Sequence, residues 1–143
     1  MSDDTLRTVE LTRIGEARYK ATNRRGGVLP IGEGEDPDFT PVELLLAAIA
    51  GCTAIDVEYI TRKRATSESF DVHVEGHKVR DADGNHLTDL RVVFDVRFPE
   101  GEEGDAARAV LQSAIEKSRD RLCTVSRTVA LPTPVEMEQG LLT

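Results

Sequence analysis

Basic charge is scarce in this chain. Its 143 residues hold 18 lysines and arginines against 26 aspartates and glutamates, for a net charge of −8 and a pI near 4.9. An acidic surface repels phosphate backbones and anionic lipids, so neither nucleic acid nor a membrane is expected as the main partner. The acidity gathers in "GEGEDPD" and "EGEEGD", loop segments whose charge serves solubility. No secretory leader is expected either, since "MSDDTLRTVELTR" offers neither a basic n-region nor an apolar h-region. The longest uncharged stretch, 44–55, falls short of the roughly 20 residues of a bilayer span. A cytoplasmic location is the expectation, and there thiols stay reduced. Two cysteines in such a compartment pack or do chemistry rather than form a permanent staple.

Several chemistries are excluded by the absence of their motifs. There is no P-loop, no dinucleotide fingerprint and no nucleophilic-serine motif, and "GEGEDPD" lacks calcium-loop spacing. His73, His77 and His86 lie on or near one hairpin segment, yet no short-range ligand pair accompanies either cysteine. Solvated or satisfied histidines are therefore expected, with no metal and no cofactor. Neither an internal repeat nor a long linker is present, so residues 1–143 read as a single domain.

What is present is 39% hydrophobic and 31% charged, ordinary for a folded protein. "TVELTRIGEARYKA" alternates about a turn at Gly15, which predicts a hairpin, and Val28–Ile31 adds a short third strand. A helix start is sharply marked at Thr40, with Pro41 at its first position and Glu43 three residues after the cap. From Val42 to Cys52 this helix is apolar on nearly all sides, and beyond Asp56 it becomes amphipathic. "SFDVHVEGHKVR" and "HLTDLRVVFDVRFP" flank a "DADGN" turn and predict a long antiparallel hairpin with one wet face. "GDAARAVLQSAIEKSRDRL" has helical periodicity, and "TVSRTVAL" after Cys123 reads as a last strand. The order is β-β-(β)-α-β-β-α-β, an α+β domain with antiparallel sheets packed around a buried central helix. Covering a helix apolar on every side exceeds what 143 residues supply, so a homodimer is expected.

Cys52 interrupts the apolar run. Free cysteine often serves as a small buried hydrophobe, and a wholly apolar pocket would leave it protonated and inert. Reactivity requires a nearby cation or strong donors. Arg24 and Arg25 in the "NRRGG" turn are candidates, with solvated arginine as the plain alternative. Asp56 lies four residues beyond Cys52, on the same helix face, where it either orients an arginine or pairs structurally.

"TPVELLLAAIAGCTAIDV", followed about seventy residues later by "RLCTVSRTV", resembles the OsmC/Ohr family of osmotically inducible and organic hydroperoxide resistance proteins. The element order matches, and the resemblance extends over roughly residues 8 to 138. It implies an intertwined homodimer and a cysteine-based peroxidase. Cys52 attacks an organic hydroperoxide, Cys123 resolves the sulfenic acid to a disulfide, and a dithiol such as a lipoylated protein regenerates the pair. It also implies an arginine, matched to Arg25 in preference to Arg24, and a glutamate near the helix start. In the hydroperoxide resistance branch that glutamate falls on Val42, counted back from the cysteine. Here the carboxylate, Glu43, stands one residue later. Nine residues turn a helix about 900° and rise about 13.5 Å, so Glu43 faces away from Cys52 and its capping role explains it. Two readings follow: a peroxidase using Cys52, Cys123, Arg25 and Glu43, or a non-catalytic binder of a small hydrophobic ligand.

Overall fold

In the computed structural model, which describes residues 4–140, strands form where side chains alternate. Strands β1 (Glu10–Gly15), β2 (Arg18–Thr22) and β3 (Val28–Ile31) make an antiparallel sheet in that order. The β1–β2 turn places Ala17 at φ 55 and the ladder shifts register between Arg13 and Gly15. In the next turn the Asn23 carboxamide oxygen accepts the amides of Arg25 (3.0 Å) and Gly27 (2.9 Å), and Gly26 supplies the φ of 90 that a side chain disfavours. Arg18 pairs with Asp36 and Asp38, tying the acidic loop back to β2. The loop's charge is thus partly structural.

Helix α1 (Pro41–Thr61) begins as its sequence predicts. The Thr40 amide donates to Glu43 Oε1 at 2.8 Å, and the Glu43 amide donates to Thr40 Oγ1 at 3.2 Å, a reciprocal capping box. The chain divides into two compact units, one ending at Leu45 and one beginning at Leu46, so the cap belongs to the first and most of α1 to the second.

In the second unit, β4 (Ser69–Asp81) and β5 (Gly84–Arg97) form one antiparallel hairpin closed by a two-residue turn, with Gly84 at φ 95. Phe70, Val72 and Val74 oppose Val96, Phe94 and Val92, and the Phe70 and Phe94 rings meet edge-on at 6.3 Å. Helix α2 (Glu102–Lys117) packs Ala107 with Ala65 and Phe98 in a small core, flanked by Val96 and Leu111. Gly104 lets α2 approach this closely, because a Cβ there would lie 1.6 Å from the Pro99 carbonyl oxygen. A single π turn (Ser118–Leu122) follows, then α3 (Thr124–Ala130). Among the described residues the fold is mixed α+β, with two small antiparallel sheets and three α-helices.

Two expectations change. The segment after Cys123 is helical, not a strand. Its β-branched residues recur four apart (Thr124/Thr128, Val125/Val129), the Cys123 sulfur accepts the Ser126 amide as an N-cap, and Thr128 Oγ1 bonds the Thr124 carbonyl at 2.7 Å. Within the single chain α1 is partly buried. Only Ile49, Ala50, Thr53, Val57 and Thr61 are buried on it, while Ile55 is 56% and Tyr59 54% exposed. Finally, the uncharged run 44–55 is shorter than the helix containing it, and by length and composition alone α1 is long and apolar enough to cross a membrane.

Thr40→Ala removes the side-chain half of the capping box. It should cost about 1 kcal/mol in urea-induced unfolding, with Thr40→Ser near wild type.

Candidate functional site

Residues four apart on a helix share a face, so α1 presents Cys52 and Asp56 together, with Thr53 beside them turned inward. The π turn brings up the opposing side. In a regular α-helix five residues turn about 500°, which would point Ser118 and Cys123 to different sides. Instead the Cys123 amide reaches the Ser118 carbonyl at 2.9 Å, and both residues are fully buried. Thr53 Oγ1 and Ser118 Oγ lie 2.7 Å apart, and the Ser118 hydroxyl donates to Asp56 Oδ2 at 2.9 Å. This chain of polar groups is closed, and no buried side-chain nitrogen or oxygen lacks a partner among the described residues.

The two sulfurs meet here. Cys52, Asp56 and Cys123 place their ligand atoms within 4.8 Å of one another, and both cysteines are free thiols, Cys52 half-buried and Cys123 buried. The start of α3 offers an amide to each: Val125 hydrogen-bonds Cys52, and Ser126 donates to Cys123 Sγ at 3.4 Å. The Cys52 thiol is nonetheless pushed up from its ordinary range. Burial is the largest cause; Cys123 and the negative charge of Asp56 add to it, and the Val125 amide opposes them. The depressed thiol expected from a neighbouring cation is therefore not what this unit produces.

The OsmC-like family model matches residues 32–138, a span that holds the helix, both cysteines and Asp56. The chain belongs to the OsmC-like family. An uncharacterised protein of Mycobacterium tuberculosis is 30% identical over 128 residues, covering 88% of this chain and 90% of the relative. Among solved structures, an OsmC-like protein of unknown function from Vibrio cholerae superposes with a TM-score of 0.72 at 13% identity, over 87% of this chain and 93% of its own. An organic hydroperoxide resistance protein from Legionella pneumophila superposes with a TM-score of 0.58 at 16% identity, over 88% and 91%. At these identities the structures establish the OsmC-like fold, and the family includes proteins named for peroxide resistance.

The remaining site residues predicted from the sequence lie in the first unit. Arg24 and Arg25 are exposed in the Asn23–Gly27 turn. Glu43 is exposed, its carboxylate engaged by the Thr40 amide. Asp56, left between two roles by the sequence, accepts from a serine. Sequence reasoning missed Ser118 and Thr53 altogether. Thr53 adjoins Cys52 and was in view, but nothing in "KSRDRLC" announces a π turn.

Two measurements probe this geometry. Ser118→Ala should destabilise the fold by about 1–3 kcal/mol, because it strips a buried donor from Asp56 and a partner from Thr53. Peptide-resolved alkylation should show Cys52 reacting with a midpoint above the ordinary thiol value of about 8.5. Below that midpoint the neutral thiol is the folded form, and reactivity rises as pH passes through it. Asp56→Asn should lower the midpoint by removing a repelling charge.

Proposed function

We propose that this OsmC-like chain is a cytoplasmic thiol-dependent peroxidase acting on organic hydroperoxides. The observation that carries the reading is the convergence of two free thiols, 71 residues apart in sequence (123 − 52), within 4.8 Å. Cys52 is the attacking sulfur because it is the more exposed of the two, and Gly51 beside it faces space in which a Cβ would meet nothing. Its thiolate attacks the distal peroxide oxygen, the O–O bond breaks, and the alkoxide takes a proton and leaves as an alcohol. Cys52 is then a sulfenic acid. The Cys123 thiolate attacks that sulfur, hydroxide leaves and is protonated to water, and a disulfide closes. A dithiol reductant, such as a lipoylated protein, returns both thiols. The family resemblance assigns thiolate support to Arg25, whereas Glu43, one residue past the position of the branch's glutamate, is engaged in the helix cap. An alkyl hydroperoxide suits the apolar face of α1 better than hydrogen peroxide does.

The assembly proposed is a homodimer. Leu11, Val28 and Leu29 on the first sheet, and Ile55 and Tyr59 on α1, are exposed apolar side chains for which a second copy is the natural cover. The alternative reading, a non-catalytic binder of a small hydrophobic ligand, draws on a groove of about 440 Å³ on the first sheet, lined by Val9, Leu11, Ala21, Leu29, Ile31 and Leu44.

Thiol titration before and after stoichiometric cumene hydroperoxide separates the two. The peroxidase loses two thiols per chain, whereas retention of both with ligand bound supports the binder. Cys52→Ser should abolish peroxide consumption, and Cys123→Ser should react once and stall. Sedimentation should show a dimer at micromolar concentration; a monodisperse monomer would remove the second copy from the proposal.

A further inference from the structure

The three groups that meet at the α1–π-turn contact are two thiols and a carboxylate, each an anion once deprotonated. The groups acting on Cys52 within this unit are Cys123, Asp56 and a backbone amide, none of them a cation. With both thiols deprotonated the set carries three negative charges, and a single bound cation would satisfy all three members together. We propose that Cys52, Asp56 and Cys123 of the reduced chain form a binding site for a thiophilic divalent cation of the zinc type.

The geometry supports this in four respects. A tetrahedral zinc with Zn–S of about 2.3 Å and Zn–O of about 2.0–2.2 Å holds its ligand atoms roughly 3.5–3.8 Å apart. The three side chains here already lie within 4.8 Å of one another, so rotamer adjustment of the two half-buried ones closes the site. Two of the ligands come from one helix face at four-residue spacing, and the third is fixed by a fully buried cysteine. The outer contacts are also those a thiolate–carboxylate site uses. A backbone amide reaches each sulfur, and the buried Ser118 hydroxyl, itself held by Thr53, orients the carboxylate through Oδ2. Lastly, the partial exposure of Cys52 and Asp56 leaves an entry path and a fourth position for water.

Sulfur donors select zinc-type ions over calcium or magnesium. Binding consumes both thiolates, releases their protons, and competes with disulfide formation by the same sulfurs. The site needs only these three side chains, and it stands whether or not Cys52 reduces peroxides.

The test uses reduced full-length protein, cleared of metal with a chelator and titrated with cobalt(II) and then zinc(II). Cobalt should give a thiolate charge-transfer band saturating at one ion per chain, and zinc should displace it and protect both cysteines from alkylation. Cys52→Ser and Cys123→Ser should each abolish the band, and Asp56→Asn, which replaces a direct ligand, should weaken zinc binding by at least the roughly 10-fold that loss of an outer partner costs. Diamide-oxidised wild-type protein, in which the thiols are spent without substitution, should bind no cobalt at this site. That measurement decides the matter should a variant fail to fold. Lack of a charge-transfer band in the reduced wild type would overturn the proposal. So would unchanged zinc affinity in the Cys52→Ser/Cys123→Ser double variant, which would assign binding to the exposed histidines. An unchanged affinity in Asp56→Asn would equally overturn the three-ligand site.

Discussion

The contact between Thr53 and Ser118, 2.7 Å between hydroxyl oxygens and shielded from water, holds the site together. It joins α1 to the π turn at the level where Cys52 and Cys123 must meet. Both hydroxyls are buried, so each needs a partner, and the observed alignment of the two segments supplies it. The same Ser118 hydroxyl reaches on to Asp56 at 2.9 Å. A buried network that is fully satisfied in one arrangement rigidifies that arrangement. The placement of both sulfurs follows from it, because Cys123 terminates the π turn that Ser118 begins.

The electrostatics of the cluster run against easy ionisation. Burial and two neighbours of potential negative charge raise the Cys52 thiol, and one amide bond opposes them. A thiol so placed ionises at neutral pH only when a positive charge arrives. In the peroxidase reading that charge is a guanidinium, and in the metal-bound state it is the ion. The two readings thus answer one physical demand by different means, and Asp56 is the residue that makes the demand sharper than two cysteines alone would.

Apolar surface is the second constraint. A helix as hydrophobic as α1 would ordinarily be enclosed, yet within the chain it buries five residues, and the β1–β2–β3 sheet leaves Leu11, Val28 and Leu29 open. The acidic loops give the opposite face of the chemistry, with Asp36 and Asp38 held by Arg18. A protein with this much exposed hydrocarbon and a net charge of −8 combines a surface suited to association with one suited to solubility.

Much of the local structure was legible in the sequence because it rests on local physics. The Thr40–Glu43 capping box, the three short strands, the long hairpin and α2 all follow from caps, turns and periodicity, which act over a few residues. So did the family, since a long helix motif and a second cysteine survive without any knowledge of packing. The segment after Cys123 was misread because β-branched residues favour strands on average, while four-residue spacing and a sulfur cap decided for helix. What only the tertiary structure decided is the company each group keeps. The meeting of Cys52 with Cys123, the role of Asp56, and the entry of Ser118 and Thr53 depend on a π turn and on buried hydroxyls. Their cause is the need to satisfy polar groups 65 positions apart in the chain, and no local pattern encodes that.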